Sequence, residues 1–330
     1  MTNKNNILVT GAAGFIGSHL VEYLLNKNYR VIGFDRYNSN DDWGWLEKLK
    51  RLKNFQFILG DIRDYDSVYN ALKKCDSVFH LAALIGIPYS YISPTAYVKT
   101  NVEGTLNILE ASRNLKIKQI LITSTSEVYG TAKKKKLNEE DKLAAQSPYA
   151  ATKISGDQLA LSFFKSFNLP IKVVRPFNVY GPRQSSRAII PTILSQALSG
   201  KQVITLGNKN SIRDFTYVED VCSAFEKIYK SKKFLGQVVN IGSDQEISIK
   251  NIVSKISKIL SVNLKIKKDK KRLRPKLSEV ERLRCNNKKI LKYSAWKPKY
   301  NLDKGLLKLI DWMKMEENLK KISKLNKYTI

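Results

Sequence analysis

The sequence predicts an α/β fold, a doubly wound parallel sheet covered by helices on both faces and followed by a smaller C-terminal lobe. Three observations carry this. Short apolar, β-rich runs at residues 7–10, 30–34, 55–59, 77–80, 119–123 and 171–174 alternate with segments of helical length and spacing. That alternation is the pattern of a parallel sheet buried on both sides. The first run leads directly into a glycine-rich turn and an apolar helix start. After residue 176 the regularity gives way to loops rich in Pro, Gly and Asn at 178–184 and 206–211, with helical stretches at 188–199, 218–230 and 249–261. The expected division is a nucleotide-binding domain over 1–176 and a smaller lobe, mainly for substrate, over 177–330. Segments near 212–245 are expected to return to the first domain. The chain has no internal repeat.

Composition narrows the class. With 330 residues, 43% of them hydrophobic, the chain can bury a large core and a second, smaller one. Residues 1–6 are polar and lack a signal-peptide pattern, and no apolar run reaches the length of a membrane span. Cys75, Cys222 and Cys285 suit neither a metal knuckle nor a disulfide framework, so no metal is expected and a reducing cytoplasm is the natural setting. The net charge of +29 comes from widely scattered lysines, with denser runs at 133–136 and 265–276. Without zinc-finger or basic-zipper spacing, this charge reads as a solvated surface that also attracts a nucleotide diphosphate. Neither nucleic acid nor a membrane is an expected partner.

The strand at 7–10 runs into Gly11-Ala12-Ala13-Gly14-Phe15-Ile16-Gly17. Gly11 permits the tight turn, Gly14 lets the backbone approach a pyrophosphate, and Gly17 allows the helix to pack closely on the strand. The helix N-terminus then offers N–H donors and a favourable dipole to the phosphates. The spacing is G-x-x-G-x-x-G, one residue longer than the common dinucleotide fingerprint. Asp35 closes the second strand. A carboxylate there accepts hydrogen bonds from a ribose and repels a 2′-phosphate, favouring NAD over NADP, although the neighbouring Arg36 pulls the other way. Asp61 and Ile62, after the third strand, are placed to flank the adenine. His80, closing the fourth, reads as a structural or cofactor-wall residue.

Tyr149 and Lys153 stand four residues apart in Ser147-Pro148-Tyr149-Ala150-Ala151-Thr152-Lys153, on a helix started by Ser147 and Pro148. They share a face, and a nearby ammonium together with a positive nicotinamide would lower the Tyr149 pKa toward that of a useful base. Upstream, a strand ends in Thr123-Ser124-Thr125-Ser126-Glu127.

With these residues in view, the chain resembles, over nearly its whole length, the extended short-chain dehydrogenase/reductases that act on nucleotide-sugars, the NAD-dependent epimerase/dehydratase family. The resemblance implies a Rossmann-type fold with bound NAD and a catalytic Thr125, Tyr149 and Lys153. It implies cofactor contacts from Gly11, Gly14, Phe15, Ile16, Gly17, Asp35, Arg36, Asp61 and Ile62. Leu81, Ala82, Ala83 and Pro176 would complete the cofactor wall with Tyr149 and Lys153. The segment Arg175-Pro176-Phe177-Asn178-Val179-Tyr180-Gly181-Pro182-Arg183 resembles the family's substrate loop, which implies that Asn178 touches a diphosphate. Arg213 and Arg274 match the family's phosphate- or ribose-binding arginines. Relatives pair two long helices per subunit, here 95–115 and 148–167, which implies a homodimer.

The triplet Thr125-Ser126-Glu127 is similar to that of GDP-mannose 4,6-dehydratases and also to that of UDP-glucuronate decarboxylases, with Ser126 where the dTDP-glucose dehydratases carry Asp. Residues 38–46, 84–91 and 274–283 resemble the nucleotide-activated N-acetylglucosamine 4,6-dehydratases of legionaminic-acid-type amino-sugar pathways. The implied reaction is oxidation at C4, loss of water across C5–C6 with Glu127 as acid–base, and reduction at C6 to a 4-keto-6-deoxy sugar. UDP-glucuronate decarboxylation is the second reading and 4-epimerisation the third. The choice of UDP or GDP stays open.

Overall fold

Alternate residues of each early strand face opposite sides of one sheet, and that alternation builds the core. Ile7, Val9, Val31, Phe79, Leu121 and Val174 belong to one apolar cluster, while Leu8, Ile32, Val78, Ile120, Ile122 and Val173 belong to another across the sheet. Both faces are dry, which is why the strands read as nearly continuous apolar runs rather than as alternating ones. The computed structural model describes residues 5–315, 317 and 318. The outermost parts of the two expected domains, 1–4, 316 and 319–330, lie outside the described residues, as does most of the polar start of the chain.

The first half runs β1 (Asn6–Thr10), α1 (Phe15–Asn26), β2 (Arg30–Arg36), β3 (Phe55–Gly60), α2 (Tyr65–Leu72), β4 (Ser77–His80), α3 (Ile87–Ile92), α4 (Pro94–Tyr97), α5 (Gly104–Asn114), β5 (Gln119–Thr123), α6 (Pro148–Phe167) and β6 (Ile171–Pro176). The segment expected as one helix over 95–115 is interrupted: a π-helical stretch, Val98–Glu103, joins α4 to α5. The second half runs β7 (Asn178–Tyr180), α7 (Ile189–Leu198), β8 (Val203–Leu206), β9 (Ile212–Arg213), β10 (Phe215–Tyr217), α8 (Val218–Lys230), β11 (Val238–Ile241), β12 (Ile247–Ser248), α9 (Ile249–Leu260), β13 (Lys265–Lys268), α10 (Lys288–Ser294) and α11 (Leu302–Lys314). The stretch 178–184, expected as loop, opens with β7, which pairs in parallel with β10.

Seven strands form the central sheet in the order β11-β6-β5-β4-β1-β2-β3, every pair parallel. This is a Rossmann-type doubly wound fold. β11 reaches the sheet from the second half of the chain, and α8 packs on α1, so residues 218–241 fold with the first half. The other lobe has its own core from α7, α9 and α11, centred on Ile193, Leu194, Ile252, Ile256, Leu306 and Leu309. No described helix is long and apolar enough to cross a membrane.

Strand order reverses between β1 and β4. The connections leaving these two strands part in opposite directions and open a crevice at their carboxyl ends, where such sheets bind ligands.

Candidate active site

The glycine turn sits at this crevice. Gly11 has φ +69° and lies so close to Ala82 that a Cβ would fall 2.9 Å from the Ala82 nitrogen. A Cβ on Gly17 would collide with the Gly11 carbonyl. These two glycines therefore set the shape of the turn, and α1 starts directly behind it with Gly14 as its N-cap, which has no side chain to cap the helix. Its free N–H groups face outward, a cradle suited to a dinucleotide diphosphate. Thr10 fixes the opposite wall: its Oγ1 accepts from the N–H groups of Leu81 and Ala82, each at 3.1 Å, and bonds His80 Nδ1 at 2.8 Å. His80 also meets Thr105 Oγ1 at 3.2 Å, and burial pushes its pKa down to about 3. It is a neutral strut, not a proton carrier.

Asp35 ends β2 with one oxygen accepting from Ala13 N–H at 2.7 Å and the other from Arg36 N–H at 2.7 Å. It thus ties the second strand to the glycine turn. Each oxygen keeps a lone pair for a ribose hydroxyl. Asp61 is held by Arg63 at 2.5 Å, and Ile62 is buried against Gly104.

Tyr149 and Lys153 occupy the start of α6, both buried. Ser147 caps that helix by accepting from Ala150 N–H at 3.1 Å, and Pro148 sits in its first turn. Thr125 follows β5, hydrogen-bonds the Tyr149 hydroxyl, and accepts from Glu127 N–H at 3.2 Å. Thr125, Glu127, Tyr149 and Lys153 are thus gathered at one place, with Ser126 buried beside them.

The electrostatics differ from expectation on one point. Tyr149 was expected to have a lowered pKa; in the structure burial pushes it upward instead, against the opposing hydrogen bond from Thr125. The physical reason is that a buried phenolate must be desolvated, and Lys153 is itself pushed down to about 8 by burial. The protein alone therefore holds Tyr149 as a phenol.

Arg274 reaches the site from the other lobe, its Nη1 lying 3.6 Å from Glu127 Oε2. Among the described residues this nitrogen, which is buried, has no hydrogen-bond partner, and neither has the buried Asn178 Oδ1, so both are available to a ligand. Arg213 is differently engaged: Nη1 donates to Ile212 O at 2.9 Å and Nη2 to Val280 O at 2.6 Å, with Glu279 3.7 Å away. In this arrangement it braces the chain around Arg274. Gln146 does the same from the other side, donating to Leu277 O at 2.9 Å.

Sequence reasoning missed Asn101. It lies in the π-helical stretch, is buried, accepts from Leu84 N–H at 2.8 Å, and donates to Leu84 O at 2.9 Å and Thr152 Oγ1 at 3.1 Å. It pins the loop after β4 to the helix carrying Tyr149 and Lys153. An asparagine inside a helical run gave no warning, because its partners are distant in sequence. Of the three segments with an amino-sugar resemblance, 84–91 and 274–283 meet, through Tyr91 Oη and Ser278 Oγ at 2.6 Å. Residues 38–46 lie elsewhere, with Trp43 stacked on Phe57 at 4.9 Å.

Comparison with known proteins settles the family. The GDP-mannose 4,6 dehydratase family model matches residues 8–309. The chain belongs to that family. Among members of the wider group of nucleotide-sugar dehydratases and epimerases, it is 35% identical to a dTDP-D-glucose 4,6-dehydratase of Dictyostelium discoideum over 279 residues, 78% of this chain and 64% of the relative, which is thus the longer protein. The structure superposes on Bacillus anthracis dTDP-glucose 4,6-dehydratase in complex with NAD with TM-score 0.84, 32% identity, and 97% and 99% of the two chains covered. It superposes on Bacillus cereus UDP-glucuronic acid 4-epimerase, in complex with UDP-glucuronic acid and NAD, with TM-score 0.86, 34% identity, and 94% and 99% covered. This member of the GDP-mannose 4,6 dehydratase family thus shares its fold with enzymes of two different chemistries.

Proposed function

We propose that this protein is an NAD-dependent nucleotide-sugar 4,6-dehydratase that acts on UDP- or GDP-N-acetylglucosamine. The observation that carries the dehydratase reading is Glu127, a carboxylate held beside Thr125 and Tyr149 at the carboxyl end of β5. Oxidation at C4 needs a base for one hydroxyl proton only. Dehydration needs a second acid–base group for C5 and the 6-hydroxyl, and Glu127 is that group.

The glycine cradle and Asp35 would hold NAD, which when bound would supply the hydride acceptor and donor for oxidation at C4 and reduction at C6. Tyr149 accepts the proton of the 4-hydroxyl, and Thr125 holds the same oxygen. Lys153 orients the cofactor ribose and, as an ammonium, favours the phenolate. Glu127 then takes the C5 proton, which the C4 ketone has made acidic, and delivers a proton to the departing 6-hydroxyl so that water leaves. Arg274 binds the diphosphate, and Asn178 donates to it through its amide nitrogen. Because oxidation and reduction would balance within each turnover, the cradle is expected to retain the cofactor.

A second reading has one observation behind it. Arg274 already pairs with a carboxylate, at Glu127, and a uronate would offer it another. The reaction would then be decarboxylation or 4-epimerisation of UDP-glucuronate. Mass spectrometry on a panel of nucleotide-sugars separates the readings. UDP- or GDP-N-acetylglucosamine should lose one water and give a 4-keto product. Loss of carbon dioxide from UDP-glucuronate alone, or inversion at C4 without change of mass, would replace the dehydratase reading. Denaturing the purified protein should release mainly NAD(H); a majority of NADP(H) would overturn the reading of Asp35.

A further inference from the structure

Beneath the site lies a buried charged cluster that the proposed chemistry does not use. Asp157, on α6, is 1% exposed, and its Oδ2 takes three donors: Ser124 Oγ at 2.9 Å, Arg175 Nε at 2.9 Å and Arg175 Nη2 at 2.8 Å. Ser124 immediately precedes Thr125, and its backbone N–H donates to Val174 O at 2.7 Å. Arg175 sits in β6, is 2% exposed, and passes the network on through Nη1 to Tyr129 Oη at 2.9 Å, which donates to Asn240 Oδ1 at 2.8 Å in β11. One carboxylate therefore ties together α6 and the ends of β5 and β6, the elements that carry Tyr149, Thr125 and the Asn178 loop.

The second oxygen is the informative one. Asp157 Oδ1 is buried and has no hydrogen-bond partner among the described residues. A carboxylate that served Arg175 alone would be expected to offer both oxygens to the guanidinium fork. Here all three donors crowd onto Oδ2. Burial pushes the Asp157 pKa up, Arg175, Ser124 and Lys153 oppose that rise, and in a dry interior the carboxylate charge acts over several ångströms. Lys153 lies one helical turn before Asp157, on the same buried face.

We infer that Asp157 is a positioning residue for the reaction: through Oδ2 it fixes the strand end that presents Thr125, and through Oδ1 it supplies the counter-charge of the Lys153 ammonium. This rests on the reading of Tyr149 and Lys153 given above. The groups facing Lys153 are Asp157 and Tyr149 on its own helix and His80 on β4, with Tyr97 beside Tyr149 and Arg175 of β6 on the far side of Asp157. His80 is neutral and Arg175 is cationic, so Asp157 supplies the negative charge of this set. Burial pushes Lys153 down to about 8, and the charge of Asp157 is what opposes that fall. Without it, the Lys153 pKa would fall further, and Tyr149 would lose part of the ammonium that favours its phenolate.

The test needs no substrate. In protein labelled with carbon-13 at lysine Cε, the Lys153 signal, assigned by its loss in Lys153→Met, should titrate near pH 8, apart from surface lysines near about 10.4. Asp157→Asn, which keeps acceptors for Ser124 and Arg175, should move that titration down by about one pH unit or more, and Asp157→Glu should restore it. Arg175→Gln, which removes the main group that holds Asp157 ionised, should also move the Lys153 titration; this variant decides the matter if Asp157→Asn does not fold. With the true substrate, the alkaline limb of the kcat profile should follow the same shifts while KM changes little. Ser124→Ala should lower kcat without moving the limb. An unchanged Lys153 titration in folded Asp157→Asn, or an unchanged titration in Arg175→Gln, overturns the inference. A normal set of titrations with no activity on any nucleotide-sugar overturns the proposed function instead.

Discussion

At the scale of single residues, the proposed dehydration consists of two half-reactions that substitution can pull apart. In that proposal Tyr149, Thr125 and Lys153 serve C4 oxidation, whereas Glu127 serves elimination. Glu127→Gln keeps size and hydrogen bonding but removes the base. It should leave C4 oxidation intact, so that the nicotinamide absorbance of the reduced cofactor builds up, while dehydrated product falls roughly 10²–10⁴-fold. Tyr149→Phe should suppress the absorbance change itself. Native rates and normal deuterium incorporation at C5 in Glu127→Gln would remove Glu127 from the assignment. That these four side chains lie together was legible in the sequence because their spacing is local: i to i+4 on one helix, i to i+2 after one strand. What stayed hidden is long-range. Arg274 is 147 positions from Glu127, and nothing in linear order announces that they pair. The direction of the Tyr149 shift was hidden for a related reason, since burial is a property of the packed interior and not of the motif.

At the scale of elements, strand positions were readable because a sheet dry on both faces demands uninterrupted apolar runs. Irregular pieces were not. The π-helical stretch Val98–Glu103 continues a helical pattern with no proline or glycine to mark it, and its function is to turn Asn101 inward. β7 spans three residues and owes its existence to β10 beside it. The tryptophans of residues 38–46 gain meaning only from the fold. Gly44 lies against Ala13 of the glycine turn, and Trp45 meets Trp312 of α11 with ring centroids 5.6 Å apart. Arg183 and Lys48 both hold Glu22 of α1 nearby, at 2.8 and 3.2 Å. This seam joins the cofactor side of the first domain to the other lobe. Trp312→Ala should therefore lower the melting temperature by several degrees, on the order of the loss of one aromatic pair plus its buried area. It should also speed loss of NAD during gel filtration. Unaltered cofactor retention in the variant would make the Trp45–Trp312 contact a packing feature with no bearing on the site.

At the scale of the whole molecule, charge and surface shape act against each other. The chain carries +29, so two copies repel at long range, and any self-association must be driven by close packing. α6 offers a suitable surface. Its inner face, including Gly156, Asp157 and Ala160, is buried, while Ala151, Ser155, Gln158 and Ser162 lie along the opposite side, and all of these but Gln158 are short enough for another helix to approach closely. α5 packs beside it, so the two helices form one continuous outer face. We expect a homodimer built on this face, with each Tyr149 near the start of the paired helices. Repulsion between like charges is screened over about 10 Å at 0.1 M salt, so the dimer should tighten as salt is raised. Binding of the same lysines to nucleic acid would weaken with salt instead, which makes the sign of the dependence diagnostic. Ser155→Arg should shift the protein to monomer, because it places two new cations at the centre of the pairing. Within its own chain Ser155 only returns a hydrogen bond to Ala151 O at 3.1 Å, so the fold should survive. Light scattering across micromolar concentrations at low and high salt measures both effects. A wild-type protein that stays monomeric throughout, or a Ser155→Arg dimer as tight as wild type, would mean that this face is not where two copies meet.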